Sequence, residues 1–347
     1  MVYRSEHPVA IVILNWNGRK YLEQFLPSVL ENSSGCRVIV ADNASSDDSV
    51  SFVRNNFPQV EIIINSGNLG FCEGYNQALK QVKADYYVLL NSDVQVTPGW
   101  VDPIIRLMES DPKIAACQPK IRAFNEPEML EYAGAGGGFI DNFGYPFNRG
   151  RIFDTLEKDL GQYNDTIEIF WATGACMFVR AEMYHKLGGL ESTFFAHMEE
   201  IDLCWRMQRA GYLVYSCPES VVYHVGGGTL PKGNHRKVFL NFRNNLIMMA
   251  KNLPPASALL KISIRFGLDG ISAIKSLLGG EGTYFWAVIR AHIGFLYWLI
   301  MEKKTRQVVK KGYRLHGYLR KSIVWRHFVL GETRFTEIVK RKNGFLP

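Results

Sequence analysis

Four strand-like runs, Val9–Leu14, Arg37–Ala41, Val60–Ile64 and Tyr86–Leu90, each stop abruptly in polar or glycine residues. The terminating segments are Asn15-Trp16-Asn17-Gly18, Asp42-Asn43-Ala44-Ser45-Ser46, Asn65-Ser66-Gly67-Asn68-Leu69-Gly70 and Asn91-Ser92-Asp93. Apolar runs without alternation are strands covered on both faces. Between the runs, apolar residues return at helical spacing, as at Tyr21, Leu22, Phe25, Leu26, Val29 and Leu30, and again at Tyr75, Ala78, Leu79 and Val82. Ser45 or Ser46 is expected to cap the second helix, with Asp47 and Asp48 in its first turn. The order β-α-β-α-β-α-β predicts an α/β fold with a doubly wound, mostly parallel, Rossmann-like sheet. All four strands then end on one edge, and that edge is where open α/β sheets bind ligands.

Asn91-Ser92-Asp93 offers hard oxygen atoms just past a buried strand, suited to a divalent cation that holds a diphosphate. Asp42 is either a turn aspartate or an acceptor for the ring N–H of a pyrimidine. Gly67-Asn68-Leu69-Gly70 does not fit the GxGxxG pattern, and the chain has no GxxxxGK[ST] loop, which disfavours a P-loop NTPase.

Farther on, Trp100–Met108 reads as a helix and residues 120–165 as a loop-rich insertion with short strands. Glu199, Glu200 and Asp202 precede Leu203, Met207 and Ala210 at helical spacing, which places three carboxylates at a helix N-terminus. The helix dipole alone favours acidic residues there. A carboxylate in that place can also serve as a general base. Asp202 is expected to hold the backbone or Arg206, one turn on. Val214–Ser216 and Val221–Tyr223 read as short strands ending at His224, before a glycine-rich, loop-like stretch. His224 is either structural or a metal ligand.

The four strand-end motifs, in order and spacing, resemble those of the family-2 inverting glycosyltransferases with a GT-A fold, and in particular the rhamnosyltransferase-like branch. The resemblance covers about residues 8–250. It implies a nucleotide-diphosphate sugar donor, a Mg²⁺ or Mn²⁺ ion, and transfer to an acceptor hydroxyl with inversion at the anomeric carbon. Its residue assignments place Asn15, Asn17, Asp42, Asn68, Gly70, Ser92 and Asp93 at the donor, and Asp93 and His224 at the metal. The acidic pair implies Glu200 as the base, then Glu199, then Asp202. The branch points to dTDP-rhamnose, with a UDP-sugar as the alternative donor, and to a lipid-linked glycan or polysaccharide acceptor. A non-catalytic nucleotide-sugar or glycan-binding subunit is the rival class.

The net charge of +7 is unevenly distributed. From Glu302 onward there are 13 Lys/Arg against 3 Asp/Glu, so the preceding 301 residues carry −3. Leu259–Met301 is apolar but interrupted by Lys261, Arg265, Asp269, Lys275, Glu281 and Arg290. Interrupting charges argue for interfacial helices on a membrane rather than a span, with Trp298, Tyr313, Tyr318 and Trp325 as anchors. Packing on the catalytic domain or on a second subunit, as in a homo-oligomer, is the other reading. The expected division is a glycosyltransferase domain over 1–250, with a nucleotide-binding half over 1–95 and an acceptor half over 96–250, and a helical basic region over 251–347. Nucleic acid is not an expected partner, because RNP-like aromatics and repeated basic patches are absent. Six scattered cysteines without a CxxC pair, and a polar start without a signal peptide, place the chain in a reducing cytoplasm on the inner face of the cell membrane.

Overall fold

The computed structural model describes residues 8–226, 234–301 and 309–339. The first half alternates β1 (Val9–Asn15), α1 (Arg19–Asn32), β2 (Arg37–Asp42), α2 (Ser49–Asn56), β3 (Glu61–Ile64), α3 (Gly70–Leu79) and β4 (Tyr86–Asn91). β3, β2, β1 and β4 pair in parallel in that spatial order. Each places its carboxyl end on one edge, as the four polar terminators require. β1 and the apolar core of β4 are buried on both faces, which is why their side chains do not alternate in polarity.

The next elements are β5 (Val94–Val96), α4 (Asp102–Ser110) and β6 (Ile114–Ala123). The insertion comes next, with β7 (Gly138–Asp141), β8 (Pro146–Asn148), β9 (Arg151–Ile152), β10 (Thr155–Leu156) and β11 (Ile167–Glu168). After it come β12 (Cys176–Arg180), α5 (Ala181–Lys186), α6 (Glu199–Arg209) and β13 (Leu213–His224). β12 lies antiparallel between β4 and β6, and β13 lies parallel to β6, so the nine-stranded sheet is mixed beyond β4. The two short strands expected near Val214 and Val221 are one strand, broken only by a register shift between Cys217 and Val221. A bulge bends a strand without ending its pairing.

The second helix begins later than expected. Ser45 and Ser46 do not cap it; Asp48 holds the N-cap position and Asp47 accepts from the Ser49 N–H at 3.1 Å. The Ser45 hydroxyl is taken instead by Asp42, at 2.6 Å.

The chain continues with α7 (His235–Asn252), α8 (Pro255–Leu278), α9 (Gly282–Met301), β14 (Tyr318–Leu319), α10 (Ile323–Phe328) and α11 (Phe335–Ile338). Two of the charges that interrupt the apolar stretch of α8 and α9, Arg265 and Asp269, are explained by where they point. Arg265 and Asp269 are buried and paired at 3.2 Å, and His292 of α9 reaches the same carboxylate at 3.5 Å. Arg265 also donates to the Asn245 side chain at 2.6 Å and to the Phe143 carbonyl at 2.8 Å, and the Tyr145 hydroxyl donates to Asp269 at 3.1 Å. The helices therefore bury this polar cluster against the protein, while Leu259, Ile271, Ile293, Tyr297 and Ile300 face outward together with Lys275 and Arg290. Among the described residues, α9 alone is long and apolar enough to cross a membrane, by length and composition.

Residues 309–339 return to the insertion. β14 pairs in parallel with β7, completing a second sheet in the order β10-β9-β8-β7-β14. Phe335 packs its ring 4.8 Å from that of Phe139 and 5.8 Å from that of Tyr163. Tyr318, expected as an interfacial anchor, instead donates to Asn142 at 3.0 Å and accepts from Lys261 at 2.8 Å. Asp141 fastens the junction: its carboxylate accepts from the N–H groups of Phe143 and Tyr145 at 2.8 Å and of Ile323 at 2.9 Å. Removing it strands three buried donors. Asp141→Ala is expected to lower unfolding free energy by about 2–3 kcal/mol, read from urea denaturation; an unchanged midpoint would refute the anchor.

Candidate active site at the strand ends

The ends of β1 and β2 are tied together by side chains. Asn15 Nδ2 donates to Asp42 Oδ1 at 2.8 Å, and the same carboxylate accepts from the N–H and the hydroxyl of Ser45. Asp42 is only 1% exposed, so this corner has a fixed shape. Asn17 lies in the left-handed region at φ 51°, and its Oδ1 accepts from the N–H of Ser46 at 2.7 Å. Asn tolerates that conformation because its short amide can bond locally. Gly18 is next, where a Cβ would stand 2.3 Å from Asn15 Oδ1 and 3.7 Å from the Ser92 hydroxyl oxygen. Asn15, Asn17, Asp42 and Ser92 are thus neighbours, drawn from three strand ends.

The third strand end is built around Gly70. Its φ is +75°, and a Cβ there would lie 2.5 Å from the Phe195 ring. The Phe195 carbonyl caps α3 by accepting from the N–H groups of Phe71 at 2.7 Å and Cys72 at 3.2 Å. Asn68 Oδ1 accepts from the Gly70 N–H at 3.1 Å, and Asn68 itself is exposed. Gly70 therefore serves the close approach of Phe195.

At the fourth strand end, His224 of β13 lies against Asp93, Nε2 to Oδ1 at 3.1 Å, with Asn91 Nδ2 3.4 Å from the same ring nitrogen. Behind it, Nδ1 faces Glu131 Oε1 at 3.4 Å. Burial alone would lower the His224 pKa, but the charge of Glu131 and the hydrogen bond to Asp93 prevail and raise it to about 10. Glu131 is not singled out by the sequence because it lies in the insertion, far from every motif. Its signal is a lone carboxylate among apolar and small residues, in Met129-Leu130-Glu131-Tyr132-Ala133-Gly134.

These donors suit a divalent cation. With its Nε2 proton displaced, the His224 imidazole and the Asp93 carboxylate would offer converging nitrogen and oxygen donors, and Glu131 backs the other ring nitrogen, as metal-binding histidines usually require. Among the described residues no group of three or more His, Cys, Asp or Glu could hold an ion alone. A diphosphate and water would have to complete the shell, the usual arrangement for Mg²⁺.

The acidic pair stands close by. Asn91 N–H donates to the Ala175 carbonyl at 2.9 Å, and a Cβ on the preceding Gly174 would lie 4.0 Å from the Glu200 Cβ. Glu199 and Glu200 open α6, and Oε2 of each is buried with no hydrogen-bond partner among the described residues. Burial, reinforced by Glu200, raises the Glu199 carboxyl well above the usual range. Burial also raises Glu200, to about 7, against the lowering effect of its own and the Ile201 N–H groups. Asp202 is engaged as its spacing suggested: it accepts from Arg206 Nε at 2.7 Å and from Asn252 Nδ2 at 2.7 Å.

A sequence model for glycosyl transferase family 2 matches residues 10–188, more than half of the chain. The chain belongs to this family. Curated relatives include the N-acetylglucosaminyl-diphospho-decaprenol L-rhamnosyltransferase of Mycobacterium tuberculosis, 24% identical over 77% of this chain and 91% of that one. Another is rhamnosyltransferase WbbL of Escherichia coli, 25% identical over 62% of this chain and 83% of that one. Among solved structures, GalNAc-T7 with UDP, GalNAc and Mn²⁺ superposes with a TM-score of 0.57 at 14% identity, covering 70% of this chain and 47% of that one. The mannosyltransferase PcManGT of Pyrobaculum calidifontis, with GDP-Man and Mn²⁺, gives 0.52 at 15% identity, covering 85% and 88%. The likeness to these solved structures establishes the GT-A fold.

Within this family-2 site, the segment before α6 is conformationally costly. Phe195, His197 and Met198 have φ of 63°, 71° and 74°. Non-glycine residues persist there only when their surroundings hold them. The buried side chain of Asn244 does so: Nδ2 lies 2.9 Å from the carbonyl oxygens of Phe194, Ala196 and His197. In the sequence, the Arg243-Asn244-Asn245 run stands out for its cation, and nothing local marks the amide. Asn244→Asp keeps the volume but removes the donor. It is expected to cost about 3 kcal/mol of unfolding free energy and to depress glycosyl transfer; a wild-type urea midpoint would sink the assignment.

Proposed function

We propose that this chain is an inverting, metal-dependent glycosyltransferase, which moves a sugar from a nucleotide-diphosphate donor to an acceptor hydroxyl in cell-surface polysaccharide synthesis. The observation that carries the reading is the buried acidic pair at the start of α6, beside four strand ends and the Asp93–His224 corner. dTDP-rhamnose as donor and a lipid-linked glycan as acceptor are supported by the names of two relatives, an N-acetylglucosaminyl-diphospho-decaprenol L-rhamnosyltransferase and a rhamnosyltransferase. The outward apolar faces of α8 and α9 support work at the inner face of the cell membrane.

Glu200 is the base. Its neighbour Glu199 is held protonated by burial, which leaves one carboxylate of the pair to ionise near neutral pH. That carboxylate takes the proton of the acceptor hydroxyl. The hydroxyl oxygen bonds to the anomeric carbon as the bond to the nucleoside diphosphate breaks on the opposite face, so configuration inverts. Asp93 and His224, with Glu131 behind the imidazole, would hold the cation. A bound divalent ion supplies charge neutralisation for the departing diphosphate. Asn15, Asn17, Asp42, Asn68, Gly70 and Ser92 form the donor-side wall.

A base with its pKa raised to about 7 works only when deprotonated. kcat/KM is therefore expected to rise about tenfold per pH unit below that point and to level off above it. Glu200→Gln is expected to lose roughly a hundredfold or more of transfer while donor binding persists by calorimetry; full activity would refute the base. Chelation is expected to abolish transfer, with Mg²⁺ or Mn²⁺ restoring it in the wild type but not in Asp93→Ala.

A further inference from the structure

A second site lies on the other side of Phe195. Between α7 and α9 the structure forms a cleft of about 650 Å³. His235 and Arg236 line it from α7, and Trp286 and Arg290 from α9, with no carboxylate among its lining residues. Arg290 makes no ion pair among the described residues and is exposed, as is Arg236. Arg236 also places its guanidinium 4.6 Å from the centre of the Phe195 ring. The Phe195 ring, a few residues before Glu199, thus lies close both to cleft-lining Arg236 and to Gly70 at the strand-end edge.

Its chemistry is that of an amphiphile's head. Two guanidinium groups on opposite walls suit the two phosphoryl groups of a diphosphate, and cations with no carboxylate among the lining residues favour an anion. Along α9, Trp286, Arg290, Ile293, Tyr297 and Ile300 recur at intervals of three or four residues, so they share one face. Every member of that stripe is exposed. A cation at the head of an exposed apolar stripe matches a charged headgroup continuing into a hydrocarbon chain.

The geometry points to this cleft as the binding site for the diphosphate of a prenyl-type lipid acceptor, with the lipid chain lying along the outer face of α9. The proposal rests on the membrane-face glycosyltransferase reading and names how its acceptor is held. The diphosphate sits beside Arg236 and Arg290, and the attached sugar extends past Phe195 toward Glu200.

The test uses the full-length protein in detergent with farnesyl diphosphate as the probe, read by quenching of tryptophan fluorescence. Wild type is expected to bind it at least about tenfold more tightly than farnesol or inorganic diphosphate. Arg290→Gln is expected to weaken binding roughly tenfold, with Arg290→Lys recovering most of the loss. Equal affinity in wild type and Arg290→Gln overturns the proposal. So does competition by inorganic diphosphate as strong as by the lipid, which marks a free-phosphate site. Loss of flotation on anionic phosphatidylglycerol vesicles in Arg290→Gln, with farnesyl diphosphate affinity retained, overturns it in favour of a general headgroup contact. Donor turnover is scored separately. Arg290-dependent lipid binding without turnover of any nucleotide sugar would uphold the cleft and overturn the glycosyltransferase reading.

Discussion

The two halves of the site meet at one residue, Phe195. Its carbonyl satisfies the first free N–H groups of α3, which carries the donor-side glycine motif. Its ring packs close to Gly70 and lies beneath the Arg236 guanidinium. Its backbone adopts a conformation that L-residues avoid, and the three-way grip of Asn244 keeps it there. If this segment relaxed, α3 would lose its cap and the acidic pair would lose its position together. The start of α3 and the acidic pair are therefore mechanically linked through the short segment from Phe195 to Glu199 rather than through the sheet.

The C-terminal helices show the same economy on a larger scale. A soluble helix hides its apolar stripe and exposes its charges. α8 and α9 depart from this: they enclose Arg265, Asp269 and much of His292 against Tyr145 and Asn245, while many of their large apolar residues stay exposed. Such a buried pair tolerates low polarity only because each member has further partners. The network also joins these helices to the insertion, so whatever the outer face contacts is coupled to it.

Much of this was legible. The four polar strand ends predicted the edge where Asn15, Asp42, Gly70 and Asp93 gather, because local pattern alone sets the strand period and its termini. The i,i+4 spacing of Asp202 and Arg206 likewise foretold their ion pair. What stayed hidden depends on contacts distant in sequence. Glu131 reaches His224 across 93 positions, and Asn252 reaches Asp202 across 50. Ser45 forms a good cap in isolation, but Asp42 competes for its hydroxyl and wins. The antiparallel placement of β12 between β4 and β6 has no local signature either, since a buried strand reads the same in both directions.

The parallel pairing of β14 with β7 has a bearing on how the molecule comes into being. Residues 318–319 lie about 180 positions after their partners at 140–141. As the chain leaves the ribosome, the insertion must wait with one strand edge unpaired and the Phe139 side of its core uncovered. Such edges invite pairing with other chains, and contacts this remote in sequence form late. The sheet of the insertion is thus the last part of the enzyme to be finished, and newly made protein lacking β14 is the species most exposed to aggregation or to capture by chaperones.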